Sequence, residues 1–201
     1  MKKSIIAAVL IVVIAIASAS AIVYSLNLTQ GPTSATKTII DSTGASVEVP
    51  TDVKRVVSLR SGIIEMLCIL GQEDKIVGVD EQTTVGKGYG AFNVQLCPSL
   101  LNMTAPVSGK SVNVESVIAL QPDVVFIGGY GRLSWIEPLK NANLTVVVAH
   151  FEEIGNYTRD LGIVAQVMGV EDKAQPIITQ VQNTLDKIEA RVGNITSDEQ
   201  V

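Results

Sequence analysis

Aromatics make up 4% of the chain, histidine occurs once and cysteine twice. Each scarcity removes a class of function. His150 has no partners for a zinc site. Cys68 and Cys97 are not a Cys-x-x-Cys pair, so a metal or thioredoxin reading is weak. Cys68 lies in an apolar stretch and reads as a small core residue; a Cys68–Cys97 disulfide stays open outside the cytoplasm. With 15 Lys and Arg against 20 Asp and Glu, the net charge is −5. A nucleic-acid binder would carry a basic footprint. No Gly-x-x-x-x-Gly-Lys-Ser/Thr or Gly-x-Ser-x-Gly occurs. The Gly-rich stretches at 86–90 and 128–131 lack the spacing of a dinucleotide turn. Without an orienting partner for His150, no nucleophile–base pair can be assembled. The chain therefore reads as a non-enzyme, with no cofactor and no metal.

What is present begins with Lys2 and Lys3, followed by an apolar run from Ile5 to Ala17 that continues in small residues to Val23. Residues 1–24 have the form of a signal sequence, with Ala17-Ser18-Ala19 and Ala19-Ser20-Ala21 as cleavage sites. The run is also long enough to stay as a membrane anchor. No cysteine follows it to accept a lipid. Either way, residues 25 onward are expected outside the cytoplasm, membrane-anchored or secreted, with 25–37 as a tether. Asn-x-Thr sequons at Asn27, Asn102, Asn143, Asn156 and Asn194 suit glycosylation of a surface protein, or simple turn chemistry.

From residue 38 the pattern alternates. A hairpin over Thr38–Pro50 is followed by a strand at Arg55–Leu59. A helix begins at Ser61 or Gly62 and is closed by Gly71, and a strand follows at Lys75–Asp80. Residues 81–106 show no period and read as a long loop with a helical turn near Pro98–Leu101. Pro106–Gly109 reads as a short strand. Later strands are expected at Val124–Ile127 and Leu144–Ala149. Later helices are expected around Trp135–Leu139 and over Ile154–Met168 and Glu171–Val192, the last with Pro176 near its first turn. This order implies an α/β lobe with a mainly parallel sheet flanked by helices, ending in a long helix.

In such sheets ligands collect at the carboxyl ends of the strands. Those ends carry Arg60, Ser61, Tyr89, Ser108, Gly109, Lys110, Tyr130, Arg132 and His150. Cations, hydroxyls and aromatic faces suit an anionic or aromatic chelate. Trp135, by contrast, reads as packed core.

The densest signal lies at Ser111–Phe126. Asn113 is a good N-cap and Glu115 suits the positive end of a helix dipole. Val114, Val117, Ile118 and Leu120 form an apolar face. Pro122 stops the helix, Asp123 turns the chain, and a buried strand follows. The wording Asn-x-Glu-x-Val-x-Ala-Leu-x-Pro-Asp, with Arg55–Leu59, the Gly71-terminated helix and Lys75–Val79, resembles the helical-hinge substrate-binding proteins of ABC importers for iron-siderophores, haem and cobalamin.

The resemblance implies an N-terminal lobe at 38–170, a hinge helix at 171–193 and a truncated tail at 194–201, with the second lobe missing. One lobe alone is expected to bind weakly or not at all. The resemblance also implies ABC permease subunits as partners, docked through Glu115, and a metal chelate as ligand. An iron-siderophore comes ahead of haem or cobalamin, since the loop Val107–Lys110 lacks the tryptophan of cobalamin-binding members. A non-transport surface or sensory domain built on the same lobe is the alternative.

Overall fold

Val124, Val125, Phe126 and Ile127 are all buried, as are Val56, Val57 and Ser58 and Val146, Val147 and Val148. Strands apolar on both faces belong inside a parallel sheet covered on both sides. In the computed structural model, which describes residues 35–88, 90–109, 111–149 and 154–192, this is what they form. Strands β1 (Thr36–Ile40) and β2 (Ser46–Pro50) make an antiparallel hairpin. The main sheet contains β3 (Val56–Ser58) and β4 (Ile76–Gly78), joined through helix α1 (Ser61–Ile69). Next come α2 (Glu81–Thr84), α3 (Gly90–Leu96), β5 (Val107–Ser108), β6 (Ser111–Val112) and α4 (Val114–Ala119). The chain then enters the sheet again as β7 (Val124–Ile127), α5 (Ile136–Asn141) and β8 (Val146–Val148). Helices α6 (Ile154–Met168) and α7 (Glu171–Val192) pack on each other at the end. The parallel sheet has the order β4-β3-β7-β8, as the α/β reading requires.

Adjacent residues of each strand feed opposite cores. Val56, Val124, Phe126 and Val147 join a cluster with α1, α6, Ala174 of α7 and the hairpin residues Ile39 and Val49. Val57, Val125, Ile127 and Val146 join a second cluster with Val117, Trp135 and Leu139. Period-two alternation thus builds a three-layer unit from one sheet.

The edges of that sheet are short and covered. The Ser42 backbone N–H and hydroxyl both donate to the Val148 carbonyl, at 3.0 and 2.9 Å. On the other side the Val79 N–H donates to the Thr104 carbonyl at 3.1 Å. Helix α1 ends in a Schellman motif. Gly71, at φ 65°, donates to the Cys68 carbonyl, and Gln72 N–H donates to the Leu67 carbonyl.

The 111–126 signal folds as its residues dictate. Asn113 accepts from Ser116 N–H at 3.0 Å. Gln121 takes φ 47° ahead of Pro122. Asp123 Oδ2 then accepts from the Lys54 and Arg55 N–H groups at 2.7 and 2.8 Å, while Arg55 Nη2 donates to the Leu120 carbonyl at 2.6 Å. The turn after α4 is thereby latched to the entrance of β3.

Several expectations are corrected. Residues 81–106 hold two helices, α2 and α3, in place of the expected loop, while the expected helical turn near Pro98–Leu101 is present as a 3-10 turn at Pro98–Leu100. Glycines at 86, 88 and 90 hide these short helices, because they close turns between them rather than loosen a loop. Val107–Ser108 is not a strand of the parallel sheet; it pairs with Ser111–Val112 in a separate small hairpin. Ile118 is 47% exposed, so the buried face of α4 is narrower than expected. Helix α7 starts at Glu171, which puts Pro176 in its second turn, where it cannot donate to the Asp172 carbonyl. Ile188 and Val192, expected on its packed stripe, are each 51% exposed. The N-terminal segment 1–34 and the tail from 193 lie outside the described residues, with Tyr89, Lys110, His150, Asn27 and Asn194. Among the described residues no helix is long and apolar enough to cross a membrane.

Candidate functional site

The sheet order places a topological switch between β3 and β7. From β3 the chain leaves through α1 to β4 on one side; from β7 it leaves through α5 to β8 on the other. A crevice opens at the carboxyl ends of such a strand pair. Arg60 and Ser61 stand at the end of β3, Asp80 beyond the end of β4, and Arg132 in the 3-10 turn Tyr130–Trp135 that follows β7.

Arg60 is the extended N-cap residue of α1, and Ser61 is its first helical residue. The Arg60 side chain lies along Gly128. A Cβ at Gly128 would sit 2.3 Å from the Ala149 carbonyl oxygen and 3.2 Å from Arg60 Cγ. Only glycine lets β7, β8 and Arg60 meet there. Arg132 is half-buried. Its Nη1 donates to the Leu59 carbonyl, and its guanidinium lies 5.1 Å from the centre of the Trp135 ring, a cation–π distance. Burial lowers its pKa, the Asp80 carboxylate opposes this, and the nearby Arg60 charge adds to the lowering. Two guanidinium groups and one carboxylate therefore share the mouth of the switch.

Beneath them is a polar network. Asp80, 2% exposed, caps α2: Oδ1 accepts from Gln82 and Thr83 N–H at 2.9 and 3.2 Å, the usual N-cap bonding. Its Oδ2 accepts from the Thr83 hydroxyl at 2.8 Å. The buried Asn93 amide of α3 donates to the Ser61 hydroxyl oxygen at 2.8 Å and the Ser61 carbonyl at 3.0 Å, with Thr83 Oγ1 at 3.2 Å. Asn93 Nδ2 can only donate, so the Ser61 oxygen accepts and its proton is left to be given elsewhere. Gly90 lets α3 approach: a Cβ there would stand 2.3 Å from the Gln82 carbonyl carbon.

Of the residues expected to bind, Arg60, Ser61 and Arg132 are brought together. Gly109, at φ 59°, turns the small hairpin, and its N–H donates to Glu81 Oε2 at 3.3 Å, beside the Asp80 cap. Ser108 lies in β5 and Tyr130 opens the 3-10 turn. Trp135 is 5% exposed, in agreement with a core role. Sequence reasoning passes over Asp80, Thr83 and Asn93. The spacing Asp-x-x-Thr at 80–83 is a legible cap signal, whereas nothing local marks Asn93. Glu115 is exposed in the first turn of α4, next to the exposed Ile118. Asn102 and Asn143 are exposed at φ 69° and 58°, a region where asparagine is enriched, which accounts for it at both turns. Asn156 is half-buried in α6. Among the described residues no cluster of His, Cys, Asp and Glu could hold a metal ion.

A family model described as periplasmic binding protein matches residues 56–201. The chain belongs to this family. The molybdate-binding protein MolA of Haemophilus influenzae is 33% identical over 144 residues, covering 70% of this chain and 39% of that protein. The solved structure of MolA bound to molybdate matches with a TM-score of 0.70 at 24% identity, over 82% of this chain and 56% of that one. An uncharacterised ABC transporter substrate-binding lipoprotein of Bacillus subtilis, YvrC, is 26% identical over 81% of this chain and 49% of its own length. The chain spans about two-fifths to half the length of these two curated relatives. The family is one of binding proteins that work with ABC permeases outside the cytoplasm, not of enzymes, in agreement with the resemblance carried by Ser111–Phe126.

Proposed function

We propose that the chain is the ligand-binding lobe of an extracytoplasmic substrate-binding component of an ABC importer, and that its ligand is an anionic metal species. A small metal oxyanion comes first and a ferric siderophore second. One observation carries this reading: Arg132 donates to the Leu59 carbonyl beside Arg60, so two guanidinium groups meet at the switch between β3 and β7 with the Asp80 carboxylate against them. Like charges at a desolvated mouth repel, and an anion seated between them turns that cost into attraction. The Ser61 hydroxyl, its oxygen occupied by Asn93, adds a neutral donor to the same spot. The molybdate named for MolA is an anion of this kind, which favours the oxyanion over the larger chelate.

Residues 1–24 would hold or deliver the lobe outside the cytoplasm, and α7 would serve as the hinge. Glu115, exposed beside Ile118, would meet the permease. Isothermal titration of the 201-residue chain with molybdate, tungstate and a ferric trihydroxamate tests the reading. Saturable binding of an oxyanion that is weakened in Arg60→Ala and in Arg132→Ala supports it. Binding that neither substitution alters, or that favours the ferric trihydroxamate over both oxyanions, would sink it.

A further inference from the structure

Cys68 and Cys97 are 29 positions apart and are the only cysteines of the chain. The fold makes them neighbours. Cys68 lies in the last turn of α1 and Cys97 directly follows α3, two helices that pack together. Cys97 is 6% exposed within the larger core cluster, and Cys68 packs against that cluster. Both are free thiols, close enough for each to perturb the other's titration. Among the described residues the pair belongs to no group of three or more His, Cys, Asp and Glu side chains that could hold a metal ion.

We propose that Cys68 and Cys97 are the two halves of a structural disulfide that staples α3 to α1 in the mature protein. This rests on the extracytoplasmic placement proposed above, because a reducing cytoplasm would keep the thiols apart. The oxidant is a disulfide, R–S–S–R, of a small molecule or a thiol oxidase. One cysteine thiolate attacks it, forming a mixed disulfide and releasing RS⁻. The second thiolate attacks the mixed disulfide at the first cysteine sulfur and releases another RS⁻. The two cysteine protons end on the two released thiols, and the two electrons reduce the oxidant.

Burial raises the pKa of both thiols, so little thiolate exists once the chain is folded. The bond therefore forms while α1 and α3 are still assembling. Its effect is local. Ser61 and Cys68 sit near opposite ends of α1. The Asn93 amide binds Ser61, while the Asn93 carbonyl accepts the Cys97 N–H at 2.8 Å. A bridge at Cys68 would give α3 a second, covalent hold on α1. It would thereby keep Asn93 against Ser61.

The test uses the full chain, denatured with reductant and refolded in a glutathione redox buffer. The expected product is a monomer lighter by two hydrogens that resists alkylation after denaturation and yields a Cys68–Cys97 cross-linked peptide. Its thermal midpoint should exceed that of the reduced chain by about 10 °C, from the loop closed. Cys68→Ala/Cys97→Ala should show no response to reductant. Two alkylatable thiols in the refolded wild type would overturn the proposal, and so would bridges only between chains or a lower midpoint on oxidation. Molybdate titration of the same oxidised sample reports separately on the ligand reading, so one can fail without the other.

Discussion

The amide of Asn93 donates to the hydroxyl oxygen of Ser61 at 2.8 Å, joining α3 to the first residue of α1 across 32 positions of sequence. Asn93 is 1% exposed, so its loss leaves the Thr83 and Ser61 oxygens short of a donor in a buried place. Asn93→Ala should cost about 1–3 kcal/mol. A urea unfolding curve with an unchanged slope and a lower midpoint would show it. An unchanged midpoint would mean that water replaces the amide without loss.

Arg132 combines a hydrogen bond to the Leu59 carbonyl with a stacked position over Trp135. A lysine cannot reproduce both, because its ammonium lacks the planar fork. Arg132→Lys should therefore weaken oxyanion binding by at least about tenfold, or about 1.4 kcal/mol, and Arg132→Ala should do the same. Titration calorimetry on the two variants decides the point. Full affinity in the lysine variant would show that charge alone matters.

Asp123 receives two backbone N–H groups, from Lys54 and Arg55, at the entrance to β3. Hydrogen bonds to a charged acceptor are the stronger kind. Asp123→Ala should lower stability by about 2–4 kcal/mol, and Asp123→Asn, which keeps one acceptor oxygen, by less. Equal losses in chemical denaturation would show that the charge contributes more than the geometry.

Glu65, half-buried in α1, has its carboxyl pKa raised by burial. The folded state thus holds the proton more tightly than the unfolded state. Stability attached to this group is present at pH below the ordinary carboxyl range. It falls as pH rises from that range through the folded pKa. Glu65→Gln should raise the thermal midpoint at pH 7 and change it less at pH 4. A larger gain at pH 4 would reverse the sign and reject burial as the cause.

Much of this architecture can be read from local pattern. Val124–Ile127, apolar at every position, announces a doubly covered strand, and Gly71 announces the end of α1. Asn113, Pro122 and Asp123 each perform the local task their chemistry suggests. The errors have a common physical source. Helices α2 and α3 are too short to display a period, and three glycines in five residues mimic a loop. The sheet order, hence the switch between β3 and β7, is a non-local choice that no single segment encodes. Arg60, Ser61 and Arg132 are legible because strand ends are legible. Asn93 is not, since its partner lies far along the chain. Ile118 and Ile188 are misplaced by pattern alone, because periodicity marks a stripe without saying how much of it a neighbour reaches.

The two rims of the parallel sheet have a bearing on how the molecule behaves in company. Each outermost strand, β4 and β8, offers three residues. Ser42 occupies the last carbonyl of one, and Thr104 takes the N–H just past the other. A foreign strand seeking backbone partners finds little ladder to extend. A lobe so rich in valine and isoleucine is thus guarded at its sheet edges against self-templated aggregation.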